Sequence, residues 1–185
     1  IATNPDQASP PVLKNRPKVI GDPVHSLIPF ENTERDRLLL DLIDAREFQR
    51  LRRIKQLGMA ELVFPGATHT RFAHSIGVMH VARRVLGRIS DILDDDRPSD
   101  ADTTLVVVAL LHDLGHGPFS HTFERAIGTD HERWTREIVC GERTEVHRLL
   151  SDHDPALPNR LGDFLTATHD DDVTFSPGYL TQIVS

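Results

Sequence analysis

At 185 residues the chain has the size of one domain and can bury roughly two-thirds of its unfolded surface in a core. With 38% hydrophobic and 26% charged residues it has the composition of a globular domain rather than of a disordered or membrane-embedded segment. The net charge of -7 argues against a nucleic-acid partner, and a single cysteine, Cys140, excludes an intramolecular disulfide and a cysteine-rich zinc site. No apolar run is long enough for a bilayer and no signal segment opens the sequence, so a cytoplasmic protein without a membrane partner is expected.

Residues 1–17 hold Pro5, Pro10, Pro11 and Pro17 and read as an extended N-terminal arm, with the domain proper over 18–185. Lys18 to Ile20 and Val24 to Phe30 flank the turn-like Gly21-Asp22-Pro23 and predict a small hairpin. From there the pattern is helical. Thr33 caps a helix through Asp44, and Asp44 with Glu47 has capping-box spacing for a second helix carrying Phe48, Leu51 and Ile54. Leu62 to Gly66 breaks the run, and apolar residues from Phe72 to Leu93 predict a long helix over 70–93. A buried helix is expected over 103–114, then short ones near 120–127, 131–139, 145–151, 159–168 and 179–184. The acidic runs at Asp94 to Asp96 and Asp170 to Asp172 lie beside Pro, Ser and Thr and read as loops. With no succession of strands, the fold class is all-α with one hairpin.

The chemistry concentrates where the apolar run Leu105 to Leu111 ends in His112-Asp113. An imidazole and a carboxylate at the edge of a core cost several kcal/mol if left unpaired, and a divalent cation satisfies both. Six of the eleven histidines, His74, His80, His112, His116, His121 and His131, fall between positions 74 and 131. His74, on the long helix, is a ligand of the right type if that helix packs against the one ending in His112-Asp113, whereas His80 reads as structural. Arg46, Arg50, Arg52, Arg53 and Lys55 form a basic segment that is either a solvated face or a surface for phosphate.

Four blocks together resemble the HD-domain phosphohydrolases, and within them the deoxynucleoside triphosphate (dNTP) triphosphohydrolases that animals fuse to a SAM domain. They are Lys18 to His25, Phe48 to Gly58, Val63 to Val78 and His112 to His121. The resemblance implies a helical bundle holding one divalent metal ion (Mn, Fe, Mg, Zn, Co or Ni) on His74, His112, Asp113 and a later Asp. In the family that Asp follows a segment like Tyr179 to Ser185, where this sequence ends, so a domain truncated at its C-terminal end is expected. Asp163, Asp170, Asp171 and Asp172 do not lie in the matching context.

The resemblance further implies that Arg71 contacts the α-phosphate, Gln56 reads the sugar and His116 meets substrate phosphate. His121 would protonate the ester oxygen, oriented by Glu124 where the family usually has Asp, and His131 would be a further active-site histidine. Asp44, Gln49 and Arg52 resemble positions that bind a nucleotide effector, although Gly21 departs from the Asn of those relatives. A nucleotide substrate and a homo-oligomer are implied as partners. The leading expectation is hydrolysis of dNTPs to deoxynucleoside and triphosphate. A hydrolase of nucleoside monophosphates or cyclic nucleotides, and an inactive nucleotide-binding regulatory module, stay open as alternatives.

Overall fold

A hairpin comes first in the computed structural model, which describes residues 18–93, 100–119, 124, 126, 128 and 130–167. The expected arm, both acidic loops, the last helix near 179–184 and most of the helix near 120–127 lie outside the described residues. Strands β1 (Lys18–Asp22) and β2 (Ser26–Phe30) pair antiparallel, with Ile20 opposite Ile28 and Asp22 opposite Ser26. The turn falls two residues later than the sequence predicts. Asp22 Oδ1 closes it by accepting from the amides of Val24 (2.9 Å) and His25 (2.7 Å). Ile28 and Phe30, two apart on one strand face, are buried in the core.

Helix α1 (Glu34–Asp44) starts as expected, Thr33 Oγ1 accepting from the Asp36 amide at 3.1 Å. The second helix does not start as expected. α2 (Arg46–Gln49) is one turn, its N-cap is Ala45, and a 3₁₀ turn (Arg50–Arg53) replaces the longer helix. The Asp44-Glu47 capping box does not form. The Arg46 amide instead donates to Glu145 Oε2, 2.9 Å away, so a side chain distant in sequence outcompetes the local one.

The long helix α3 (Arg71–Leu93) and the helix α4 (Asp100–Leu111) run against each other, and α5 (His131–Cys140), α6 (Glu145–His153) and α7 (Leu157–Ala167) complete the bundle. Every residue of α4 from Thr104 to Leu111 is buried, because α3, α1 and α7 all pack on it. This all-round apolar helix is the axis of the core, joined by Phe48, Leu51, Ile76, Met79, Leu150 and Phe164. It ends one turn before its predicted end, and His112 and Asp113 therefore lie in the turn that leaves it. Among the described residues no helix is long and apolar enough to cross a membrane.

Candidate active site

Asp113 is the hub of the site. Its Oδ2 lies 2.6 Å from Arg71 Nη1 and 3.6 Å from His74 Nε2, both from the first turn of α3. Its Oδ1 lies 3.5 Å from His112 Nε2 and 3.4 Å from His116 Nε2. Burial acts to raise the Asp113 pKa, but the His116 hydrogen bond and the charges of His112 and Arg71 outweigh it. The carboxyl is held well below the usual carboxylate range.

His74, His112 and Asp113 place their ligand atoms within 4.8 Å of one another. The donor chemistry fits a divalent cation. His112 Nδ1 donates to the Ala109 carbonyl at 2.9 Å, which makes Nε2, the atom facing Asp113, the nitrogen placed for a metal. Burial lowers the His74 pKa, with Asp113 opposing and His112 adding, so a neutral imidazole is favoured there. Two imidazoles and a carboxylate are a common ligand set for a divalent metal.

His116, Glu124 and His131 form a second cluster within the same 4.8 Å limit. Glu124 Oε1 lies 2.9 Å from His116 Nδ1 and 3.2 Å from His131 Nδ1, while the two rings stack with centroids 3.7 Å apart and planes 13° from parallel. Glu124 thus faces His116 and His131; His121, its expected partner, lies outside the described residues. Both ring nitrogens approach the same carboxylate oxygen, an arrangement in which the three groups can exchange a proton.

Two further residues, Arg50 and Thr135, hold these groups through the backbone. Arg50 donates from Nη1 to the His116 carbonyl (2.7 Å) and from Nη2 to that of Leu114, a forked contact that only a guanidinium makes. Thr135, fully buried on α5, accepts from the Gly115 amide at 2.8 Å. In sequence Arg50 looks like one more member of a basic run, and Thr135 like an ordinary helix residue. Periodicity reports neither.

Gln56 is brought to the start of α3 by a short antiparallel contact: its amide donates to His69 O (3.1 Å) and the Arg71 amide to Ile54 O (2.9 Å). The Gln56 Oε1 is buried with no hydrogen-bond partner among the described residues. Of the three effector candidates, Gln49 and Arg52 meet (Oε1 to Nε, 2.7 Å), and Arg52 stacks on Phe72 at 3.6 Å, whereas Asp44 is exposed at the end of α1. The basic segment is not one phosphate-facing surface. Arg50 turns to the loop, Arg52 to Phe72, and Lys55 to Glu61 at 2.7 Å. His80, read from the sequence as structural, packs on the ring of His25 with centroids 5.3 Å apart. Asp163 is exposed on α7, outside both clusters. A cleft of about 660 Å³ opens beside His74, between the hairpin turn and the outer face of α3.

A helical bundle with a His-Asp pair at the end of its central helix, met by a His from a neighbouring helix, defines the HD class. Residues 71–154, which hold His74, His112 and Asp113, match the family described as HD domain. It is 46% identical over 155 residues to the uncharacterized protein YwfO of Bacillus subtilis, covering 82% of this chain and 34% of that one. It is 43% identical over 129 residues to the deoxynucleoside triphosphate triphosphohydrolase SAMHD1 of Bos taurus, covering 68% of this chain and 21% of that one. The crystal structure of a phosphohydrolase from Bacteroides thetaiotaomicron superposes with a TM-score of 0.69 at 28% identity, over 92% of this chain and 38% of that one. The chain thus spans between about a fifth and two-fifths of the length of these relatives.

Proposed function

We propose that this chain carries the core of a metal-dependent hydrolase that cleaves dNTPs to deoxynucleoside and triphosphate. His74, His112 and Asp113 would hold the divalent metal ion (Mn, Fe, Mg, Zn, Co or Ni). Bound there, such an ion supplies positive charge for a phosphate oxygen and lowers the pKa of water. Arg71, buried beside the triad, sets a second positive charge where negative charge grows on the α-phosphate. Gln56 has a buried acceptor in need of a donor, a deficit of about 1–3 kcal/mol that a sugar hydroxyl removes. His116, Glu124 and His131 hold protons beside Asp113, and His121 delivers one to the departing ester oxygen.

The observation that carries this reading is the Arg71–Asp113 contact at 2.6 Å, which joins a phosphate-binding cation to the ligand triad. The similarity to the dNTP triphosphohydrolase of Bos taurus supports the substrate class. A nucleotide effector held by Gln49 and Arg52, with Asp44 near, and a homo-oligomer belong to the same reading. The test is incubation of the full chain with each dNTP and each ribonucleotide, with Mn or Mg, followed by detection of inorganic triphosphate. Triphosphate from dNTPs in preference to ribonucleotides is expected. Orthophosphate from nucleoside monophosphates, with no triphosphate from dNTPs, would overturn the substrate assignment.

A further inference from the structure

α5 begins at His131 and carries Thr135 one turn later, fully buried. A threonine inside a helix commonly bonds back to the carbonyl four residues earlier, and the hydroxyl does lie 3.0 Å from His131 O. The helix requires nothing more of it. Yet the same oxygen accepts from the Gly115 amide at 2.8 Å and lies 3.1 Å from His112 O. A hydroxyl has one proton and two lone pairs, so it can accept from Gly115 while its proton serves either carbonyl. One atom therefore touches the backbone of a residue from each histidine cluster and of the loop between them.

Gly115 explains how the approach is so close. A Cβ there would fall 1.9 Å from His131 O and 2.5 Å from Thr135 N, so the turn after α4 lies directly on the backbone of α5. No other residue fits at that point. The turn carries His112, Asp113 and His116, and α5 carries His131, so the contact between them sets the distance of His131 from the other three.

We propose that Thr135 is a positioning residue for the reaction: its hydroxyl fixes the turn that carries His112, Asp113 and His116 at one distance from His131 on α5. The inference rests on the hydrolase reading, with Thr135 itself touching no substrate. A displacement of the order of 1 Å between reacting groups costs roughly 100-fold in rate. The test compares Thr135→Val, which keeps the shape and removes the hydroxyl, with Thr135→Ser, which keeps the hydroxyl. Each is measured for dNTP turnover, for Mn binding, for thermal stability and for the NMR signals of the His116 and His131 rings. Thr135→Val is expected to lose roughly 100-fold in kcat with little change in KM, to bind Mn as the parent does, and to shift both ring signals. Thr135→Ser should restore turnover and ring signals to near the parent values.

Parent-like kcat in a folded Thr135→Val, or equal losses in Val and Ser variants that follow their melting temperatures, would overturn the proposal. If Thr135→Val does not fold, Thr135→Ala removes the same hydroxyl without added bulk and takes its place. If the parent hydrolyses no dNTP, the hydrolase reading fails instead. The ring signals then decide: shifted in Val and parent-like in Ser supports the positioning role, unshifted in both overturns it.

Discussion

His74 and His112 leave 35% and 23% of their side chains open to solvent, whereas His116 leaves 2% and His131 19%. The open pair turns its Nε2 atoms toward one carboxylate from two different elements, the first turn of α3 and the turn leaving α4. The closed pair stacks face to face and shares Glu124 through its Nδ1 atoms. The same residue types thus sit in different surroundings. Imidazoles from two elements that meet at one carboxylate near solvent suit an exchangeable cation, whereas a stacked pair beside a second carboxylate suits proton exchange between the three groups.

The sharpest way to break this contrast is to delete one member of each cluster. His112→Ala is expected to abolish Mn binding, read by elemental analysis of dialysed protein. Asp113→Asn should do the same and destabilise the fold by about 3 kcal/mol or more in urea titrations, since it removes the anion beside buried Arg71. Glu124→Gln and His131→Ala should keep the metal and lose roughly 100-fold in turnover. Metal loss from His131→Ala with retention by His112→Ala would exchange the roles assigned to the two clusters.

Smaller effects sharpen the comparison. Arg50→Ala releases the carbonyls of Leu114 and His116 and should cost about 1–3 kcal/mol, with Arg50→Lys recovering only part because an ammonium cannot fork. The smallest expected effect is on pH. His74, His80 and His116 all have pKa values lowered from the ordinary 6.5, burial being the largest cause in each. The unfolded chain then binds more protons than the native one, so stability rises with pH across that window. In metal-free protein this contribution should be complete above about pH 6.5 and fade as the pH falls through the lowered values, as urea midpoints at a series of pH values would show.

The elements legible in the sequence were those with strong local signals. Thr33 announced α1, the apolar spacing from Phe72 announced α3, and the uninterrupted run to Leu111 announced a helix with no solvent face. α2 was misread because its first amide is satisfied by Glu145, a partner that no local window contains. The His74, His112 and Asp113 grouping was legible through residue type, and Arg71 through its place one turn before His74. The contacts of Arg50 and Thr135 are not legible, since each is made to backbone carbonyls or amides distant in sequence.

The central helix α4 has an evolutionary consequence. On an ordinary amphipathic helix, drift is free on the wet side, and the chemistry at its end is insulated from most substitutions. Here every position from Thr104 to Leu111 packs against a neighbour, and the last of them leads straight into His112 and Asp113. A change in side-chain volume anywhere along this stretch acts at once on the core and on the placement of that pair. Selection for folding and selection for chemistry therefore fall on the same eight residues.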